Sequence, residues 1–377
     1  MLGDLALALS HDGRFECVVL SGSTVRAART WNRLPRRLGS VRIQRVRTIT
    51  AGKATFLHRI VEYSAFYIGV ATRMLLLSNT DVVVSFTTPP LIALAAAFPL
   101  MLRRVPLVYY VQDLYPELLY DMGYVSNPWL IRRLTVANRI ILRRANTVIT
   151  IAQSMAQKLR RNYGARCSSV TVIPNWSTDI RYKDPLPGSA RFLYTGNIGL
   201  AHDFSLLGPL VASLVAVRQI GYCFVGGGRQ YASVRGIFDE QGERRVEFLP
   251  YVTREELPDV IAGSHFCMLA QKEETVGDIL PSKYYGYLAA GRPVIYFGTR
   301  KSDIGHEVAA NGLGFVVECD ADVDRVSSGV LQLISDRSAH ADLCHRVAEY
   351  SRDHYGLEES AHRVRSVLEK VAIGGSG

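Results

Sequence analysis

Short runs of aliphatic and β-branched residues, each followed by a stretch with helical spacing, recur along this chain in two series. In the first, Glu16 to Ser21, Asp81 to Ser85, Pro106 to Val111, Thr147 to Ile151 and Ser169 to Ile173 read as strands. Helical patterns lie between them, notably Trp129 to Arg144 and Gln153 to Tyr163. Strands this uniformly apolar must be covered on both faces, so helices have to pack above and below a parallel sheet. Pro174-Asn175-Trp176 interrupts the series, and Pro185, Pro187 and Gly188 mark a linker. The second series begins at Ala190, with strands near Phe192 to Thr195, Tyr222 to Val225, Val246 to Leu249, Phe266 to Leu269, Pro293 to Phe297 and Gly314 to Val317. A chain of 377 residues exceeds what one hydrophobic core usually supports. The expected architecture is therefore α/β, with two doubly wound Rossmann-like domains facing a cleft. Residues 1–180 form the first, residues 181–355 the second, and residues 356–377 a C-terminal helix with a flexible tail. Open parallel sheets bind ligands at the carboxyl ends of their strands, which is where the candidate chemistry lies.

Composition excludes several classes of protein. With 48% hydrophobic and 21% charged residues the chain is not a disordered one. Six scattered cysteines, without paired spacing, read as buried thiols in a reducing compartment rather than a disulfide framework or zinc site. The opening MLGDLALALSHDG is too short and too poorly charged for a signal peptide. Pro89 to Leu102 stops at Arg103-Arg104 and reads as a buried helix, not a membrane span. These features predict a cytoplasmic protein, soluble or attached at the inner face of a membrane.

The net charge of +10 is concentrated. Arg26, Arg29, Arg33, Arg36, Arg37, Arg42, Arg45, Arg47, Lys53 and Arg59 fall in one segment without a single acid. Thr55 to Leu77 follows with apolar residues at helical spacing, so residues 26–78 suit an anionic membrane surface. A solvated basic face beside a helix packed on the sheet explains the same pattern. Nucleic acid is not expected, because no recognisable nucleic-acid-binding motif accompanies the charge.

Four junctions in the second half carry chemistry. Tyr194-Thr195-Gly196-Asn197-Ile198-Gly199 follows a strand and precedes a helix expected near His202-Asp203. Its glycines let backbone approach an anion, for which a diphosphate is the natural choice, though a plain tight turn has the same pattern. His202 is the one histidine beside a glycine-rich turn; His202-Asp203 also reads as a helix cap. Gly226-Gly227-Gly228-Arg229 repeats the arrangement with a guanidinium able to pair with phosphate. Tyr251 at the end of the next strand either stacks on a base or fills the core. Pro281-Ser282-Lys283 then opens a short helix that ends at Gly291, placing a hydroxyl and an amine at one point. The histidines are dispersed and form no cluster to hold a metal, and neither metal nor cofactor is expected.

The string PSKYYGYLAAGRPVI resembles the donor-site signature of glycosyltransferase family 4, retaining enzymes of the GT-B fold. TGNIGLAHDF, FVGGG, VEFLPYV and VIPNW occur in the order that family shows. The nearest subgroup assembles bacterial surface polysaccharides and includes transferases of N-acetylated deoxy sugars. The resemblance covers roughly residues 80 to 370 and is weaker in the first half. It implies that Gly196, Asn197 and Gly199 lie against the sugar diphosphate and that Lys283 pairs with the phosphates. Gly226, Gly227, Gly228 and Tyr251 would border the nucleoside. In the first domain the resemblance points to Asp113 as the residue orienting the acceptor hydroxyl; an N-cap of the next helix is the other reading.

Two departures stand out. Where many members carry two glutamates flanking this loop, the sequence has Asp278 and Gly286, so ribose contact is expected from Glu273 or Glu274. The family also opens with a strand ahead of its first helix, whereas this sequence starts at that helix, near Leu2 to Ser10; the first domain is expected to lack its first strand. The implied reaction is retaining transfer, by front-face attack, from a nucleotide sugar (UDP favoured) to a polyprenyl-diphosphate-linked saccharide. The alternatives are a sugar-nucleotide epimerase of the same fold and a decayed transferase acting as a binding partner.

Overall fold

The computed structural model describes residues 2–11, 13–22, 36–46, 56–77, 79–164, 170–177, 180, 182, 190–217 and 220–374. They form two compact units, one of residues 1–174 and 357–377, the other of residues 175–356.

The first unit begins with helix α1 (Leu2–Ser10), then β1 (Val18–Gly22), β2 (Arg37–Leu38) and β3 (Val41–Val46). Helix α2 (Phe56–Leu76), β4 (Val83–Phe86), α3 (Ile92–Leu102) and β5 (Leu107–Val111) follow. The short α4 (Glu117–Asp121), α5 (Pro128–Arg144), β6 (Thr147–Thr150), α6 (Gln153–Tyr163) and β7 (Val170–Val172) complete this stretch. Its strands make two sheets, β1-β3-β2 and the all-parallel β4-β5-β6-β7. β5 is buried along its whole length, as a strand covered on both faces must be. Local chemistry sets the helix ends. Asn127 accepts from the backbone N–H of Trp129 (3.0 Å) and Leu130 (3.3 Å), with Pro128 at the first position of α5. α6 buries Met155, Ala156, Leu159 and Tyr163, one helical stripe, and stops before Gly164 at φ 66.

The second unit holds β8 (Ala190–Asn197), α7 (Leu207–Leu214), β9 (Ile220–Gly227), α8 (Tyr231–Glu240), β10 (Val246–Leu249), α9 (Leu257–Ala262) and β11 (Phe266–Ala270). It continues with α10 (Lys283–Ala289), β12 (Val294–Phe297), α11 (Asp303–Ala310), β13 (Gly314–Val317), α12 (Asp320–Ser335) and α13 (Arg337–His354). The chain then returns to the first unit as α14 (Leu357–Gly374), where Arg365 donates to the carbonyl of Ala8 in α1. The sheet of the second unit is parallel in the order β10-β9-β8-β11-β12-β13. Strand order reverses between β8 and β11, and such switch points leave a crevice at the carboxyl ends. Phe192 meets Tyr222 and Phe266 edge-on, both at 5.3 Å, in a core rich in aromatic rings.

Several expectations need correction. Residues 41–46, inside the basic segment, form a strand that pairs with β1, and Arg42 forms an ion pair with Glu16. Arg26, Arg29, Arg33, Arg47 and Lys53, and the side chain of Arg59, lie outside the described residues. The helix read as buried, Pro89 to Leu102, runs from Ile92 and leaves Phe98, Met101 and Leu102 exposed. Cys223, Cys267 and Cys344 are buried thiols, but Cys319 is exposed; Cys167 lies outside the described residues. Among the described residues no helix is long and apolar enough to cross a membrane.

Arg292 is fully buried, with its guanidinium donating to the carbonyls of Ala290 (2.8 Å) and Ser264 (3.0 Å). It joins the end of α10 to the entrance of β11. Arg292→Ala removes both donors and leaves a cavity, so chemical denaturation should show a loss of about 3–5 kcal/mol.

Candidate functional site

The glycine-rich ends of β8 and β9 run side by side, with Gly196 opposite Gly226 and Asn197 opposite Gly227. The pairing extends one residue further, where Ile198 N–H donates to the Gly227 carbonyl at 2.7 Å. Gly226 has φ +139 and Gly228 φ +129, a region that L side chains rarely adopt. A Cβ on Gly226 would overlap the Gly196 carbonyl, and one on Gly228 would sit 2.6 Å from the nitrogen of Ile198. These glycines are therefore required by the approach of two backbones.

Lys283 enters from α10. Its Nζ donates to the Tyr194 hydroxyl at 3.0 Å and lies 4.7 Å from the centre of that ring. A side chain at Gly196 would put its Cβ 2.8 Å from the Lys283 Cε, so the lysine lies along the turn itself. Burial pulls the amine down to about 8, leaving it mostly protonated at neutral pH. Tyr194 donates in turn to the carbonyl of Asn197 at 2.9 Å. Tyr287, fully buried, fixes the helix to the strand: its hydroxyl accepts from Thr195 N–H at 2.8 Å and lies 3.0 Å from Thr195 Oγ1. Sequence reading assigned no role to Tyr194 or Tyr287, because a core tyrosine and a site tyrosine look alike in one dimension.

The other expected residues are distributed around this centre. His202 Nδ1 lies 3.1 Å from both N and O of Gly199. Burial, and then the Lys283 charge, lower its pKa to about 4, so it is a neutral imidazole at pH 7. The helix expected at His202-Asp203 starts only at Leu207, and Asp203 instead accepts from Ser205 N–H at 2.9 Å. His202-Asp203 is thus not a cap. Arg229 is exposed beyond the Gly226–Gly228 turn, and Tyr251, 62% exposed, lays its ring against Gly227. A Cβ at Gly227 would find that ring at an ordinary 3.4 Å. Tyr251 is therefore not a core residue. Pro281 is buried, and the Ser282 side chain is exposed and caps nothing in α10.

Across the switch point, a recess of about 140 Å³ is lined by Asp203, Gln271, Glu273, Gly298, Thr299 and Glu318, among others. Glu273, one of the two acids expected to reach a ribose, is on its wall; Glu274 does not line it. Gly286 backs onto Ile180, whose Cδ1 lies 3.2 Å from where a Cβ would be, and Asp278 is fully buried. Neither position offers a carboxylate to a ligand.

In the first unit, Asp113 follows β5. Its N–H and that of Gln112 both donate to the hydroxyl of fully buried Thr87, each at 3.2 Å. Burial pushes the Asp113 carboxyl up to about 6. The next helix, α4, has Pro116 at its N-cap, so Asp113 does not cap it. Glu117 of α4 accepts from Tyr163 Oη (2.8 Å) and Asn162 Nδ2 (3.1 Å), which holds this strand end in place.

Two Rossmann-like units, with glycine-rich strand ends and a part-buried lysine at the switch point of the second, define the GT-B class of fold. Residues 2–176 match the Glycosyl transferase 4-like domain, so just under half of the chain is similar to that family. It is 24% identical over 215 residues to the putative colanic acid biosynthesis glycosyl transferase WcaI of Escherichia coli, across 53% of this chain and 52% of that one. The match thus spans about half the length of this curated relative. Two solved structures share the fold. Sucrose-phosphate synthase from Thermosynechococcus elongatus has a TM-score of 0.71 at 14% identity, covering 98% of this chain and 92% of that one. Anabaena HepE in complex with UDP-glucose has a TM-score of 0.69 at 14% identity, over 98% and 95%.

Two measurements test the site. Gly226→Ala should lose about 2–4 kcal/mol in thermal unfolding through strain and backbone overlap, whereas Gly227→Ala should stay within about 1 kcal/mol of the parent. For Asp113 the folded pKa lies above the unfolded one, so the native state favours the neutral acid. Its contribution is fully present below about pH 4 and is lost as pH rises toward 6. Asp113→Asn should therefore stabilise the protein by about 1–3 kcal/mol at pH 7.5 and change little at pH 4, read from melting curves across that range.

Proposed function

We propose that this protein is a retaining glycosyltransferase that moves a sugar from a nucleotide-diphosphate donor, a UDP-sugar by preference, to a lipid-linked saccharide. The products would be cell-surface polysaccharides, made at the inner face of the cytoplasmic membrane. The observation that carries the reading is Lys283, a part-buried ammonium lying along a glycine turn too tight for side chains. A diphosphate fits that combination, since backbone can approach it and one protonated amine can neutralise its charge. The similarity to a putative colanic acid biosynthesis glycosyl transferase, and the fold shared with a protein solved with UDP-glucose, support the same reading.

In this scheme the bond from the anomeric carbon to the diphosphate oxygen breaks as the acceptor oxygen bonds from the same face. The electron pair leaves with the nucleoside diphosphate, and the acceptor proton passes to that departing group. Lys283 and the Gly196–Gly199 turn stabilise the developing charge, while Tyr251 and the Gly226–Gly228 turn border the nucleoside. We assign Asp113 to orienting the acceptor hydroxyl. The lysine supplies the cation at the diphosphate, and the scheme calls for no metal.

Calorimetric titration with UDP, GDP and dTDP tests the donor half. One nucleotide should bind, and Lys283→Ala should weaken it about 10- to 100-fold. Affinity should fall as pH rises through 8, because the amine loses its proton there. A folded protein that binds no nucleotide would sink the proposal. Binding without sugar transfer to any lipid-linked acceptor would point to the decayed transferase, and interconversion of the nucleotide sugar without acceptor to the epimerase.

A further inference from the structure

Three neighbouring helices of the first unit turn apolar residues toward solvent. Helix α3 packs between α2 and α5. Their inward faces are ordinary: Val70 and Met74 of α2, Ala96 and Leu100 of α3, and Ile141 and Leu142 of α5 are buried. The outward faces are not, since a surface helix normally shows water its polar side. On α2, Val61, Ile68 and Leu75 follow one another at intervals of seven residues, Ile68 being 69% exposed. On α3, Phe98, Met101 and Leu102 occupy one face, Phe98 at 61%. On α5, Trp129, Val136 and Ile140 form a stripe, and Arg133 stacks over the Trp129 ring at 4.6 Å. A patch spread over three helices is larger than scattered surface hydrophobics explain.

Charge identifies the partner. Exposed Arg132, Arg139 and Arg143 run alongside the α5 stripe, and exposed Arg104 follows α3. The three helices together carry one acidic residue, Glu62. Like charge opposes the pairing of two copies through this face. Nucleic acid would match the arginines but has no use for exposed Ile68, Phe98, Met101 and Leu102. The geometry points to docking of the α2-α3-α5 face on an anionic lipid bilayer, with the aliphatic and aromatic groups at the acyl boundary and the arginines among the headgroups. This refines the membrane part of the function proposed above: of the segment 26–78 it keeps the helix α2 and adds α3 and α5. It does not depend on the donor site.

Cosedimentation with vesicles of phosphatidylcholine alone, or mixed with phosphatidylglycerol, tests it on the full chain. The parent protein should partition onto the anionic vesicles, less so at high salt, and weakly onto the neutral ones. The triple variant Phe98→Ser, Met101→Ser, Leu102→Ser should lose at least about tenfold in partitioning. The variant Arg132→Glu, Arg139→Glu, Arg143→Glu should lose roughly a hundredfold. Both should keep the parent's melting temperature and nucleotide affinity, which separates a failed surface from a failed fold or donor site. If the parent ignores anionic vesicles while binding nucleotide, docking is wrong and the transferase reading stands. Docking is equally overturned if either folded variant partitions like the parent, or if a single-stranded oligonucleotide binds and only the arginine variant abolishes that binding.

Discussion

The close approach of β8 and β9 at their carboxyl ends is what the second unit's site depends on. Neighbouring parallel strands lie about 4.8 Å apart, and side chains would normally stand between their ends and any ligand. Here the facing residues are Gly196 and Gly226, and the ladder continues through Ile198 and Gly227. Bare backbone is thereby presented at the one place where the order of the sheet reverses. Tyr287 then binds α10 to β8, so the helix bearing Lys283 is positioned by the same strand that forms the turn.

Burial shifts the two ionisable residues assigned to chemistry in opposite directions: Lys283 down to about 8 and Asp113 up to about 6. In each case desolvation is the cause, which means the fold gives up stability to keep a charge in a poorly hydrated place. A diphosphate would restore the lysine's lost solvation, and an acceptor hydroxyl can donate to the carboxylate. His202 differs, because burial and the nearby lysine both favour its neutral form.

The first unit uses its surface differently. Its sheet is covered by helices as any parallel sheet must be, yet α2, α3 and α5 remain apolar on their outer sides. The helix read in the sequence as buried has little amphipathic signal, being apolar all round. Periodicity cannot say which side of such a helix meets the core. Only the packing of α3 between its neighbours shows that Phe98, Met101 and Leu102 are the residues left outside.

Local signals carried much of the fold. Gln153–Tyr163, Val246–Leu249 and Gly314–Val317 fall where apolar spacing predicts, the first of them stopping before Gly164. Val41–Val46 escaped notice because three of its six residues are arginine or glutamine, so it lacks the uniformly apolar run that marks the other strands. Gly196, Gly226, Gly228 and Lys283 were legible as a set, since glycines after strands and a lysine opening a helix are features of adjacent residues. Tertiary structure alone decided that Lys283 meets Tyr194, 89 residues away, and that Tyr251 lies open against Gly227 instead of in the core. Those contacts follow from the order β10-β9-β8-β11, and strand order is set by how whole βα units pack, which no local periodicity encodes.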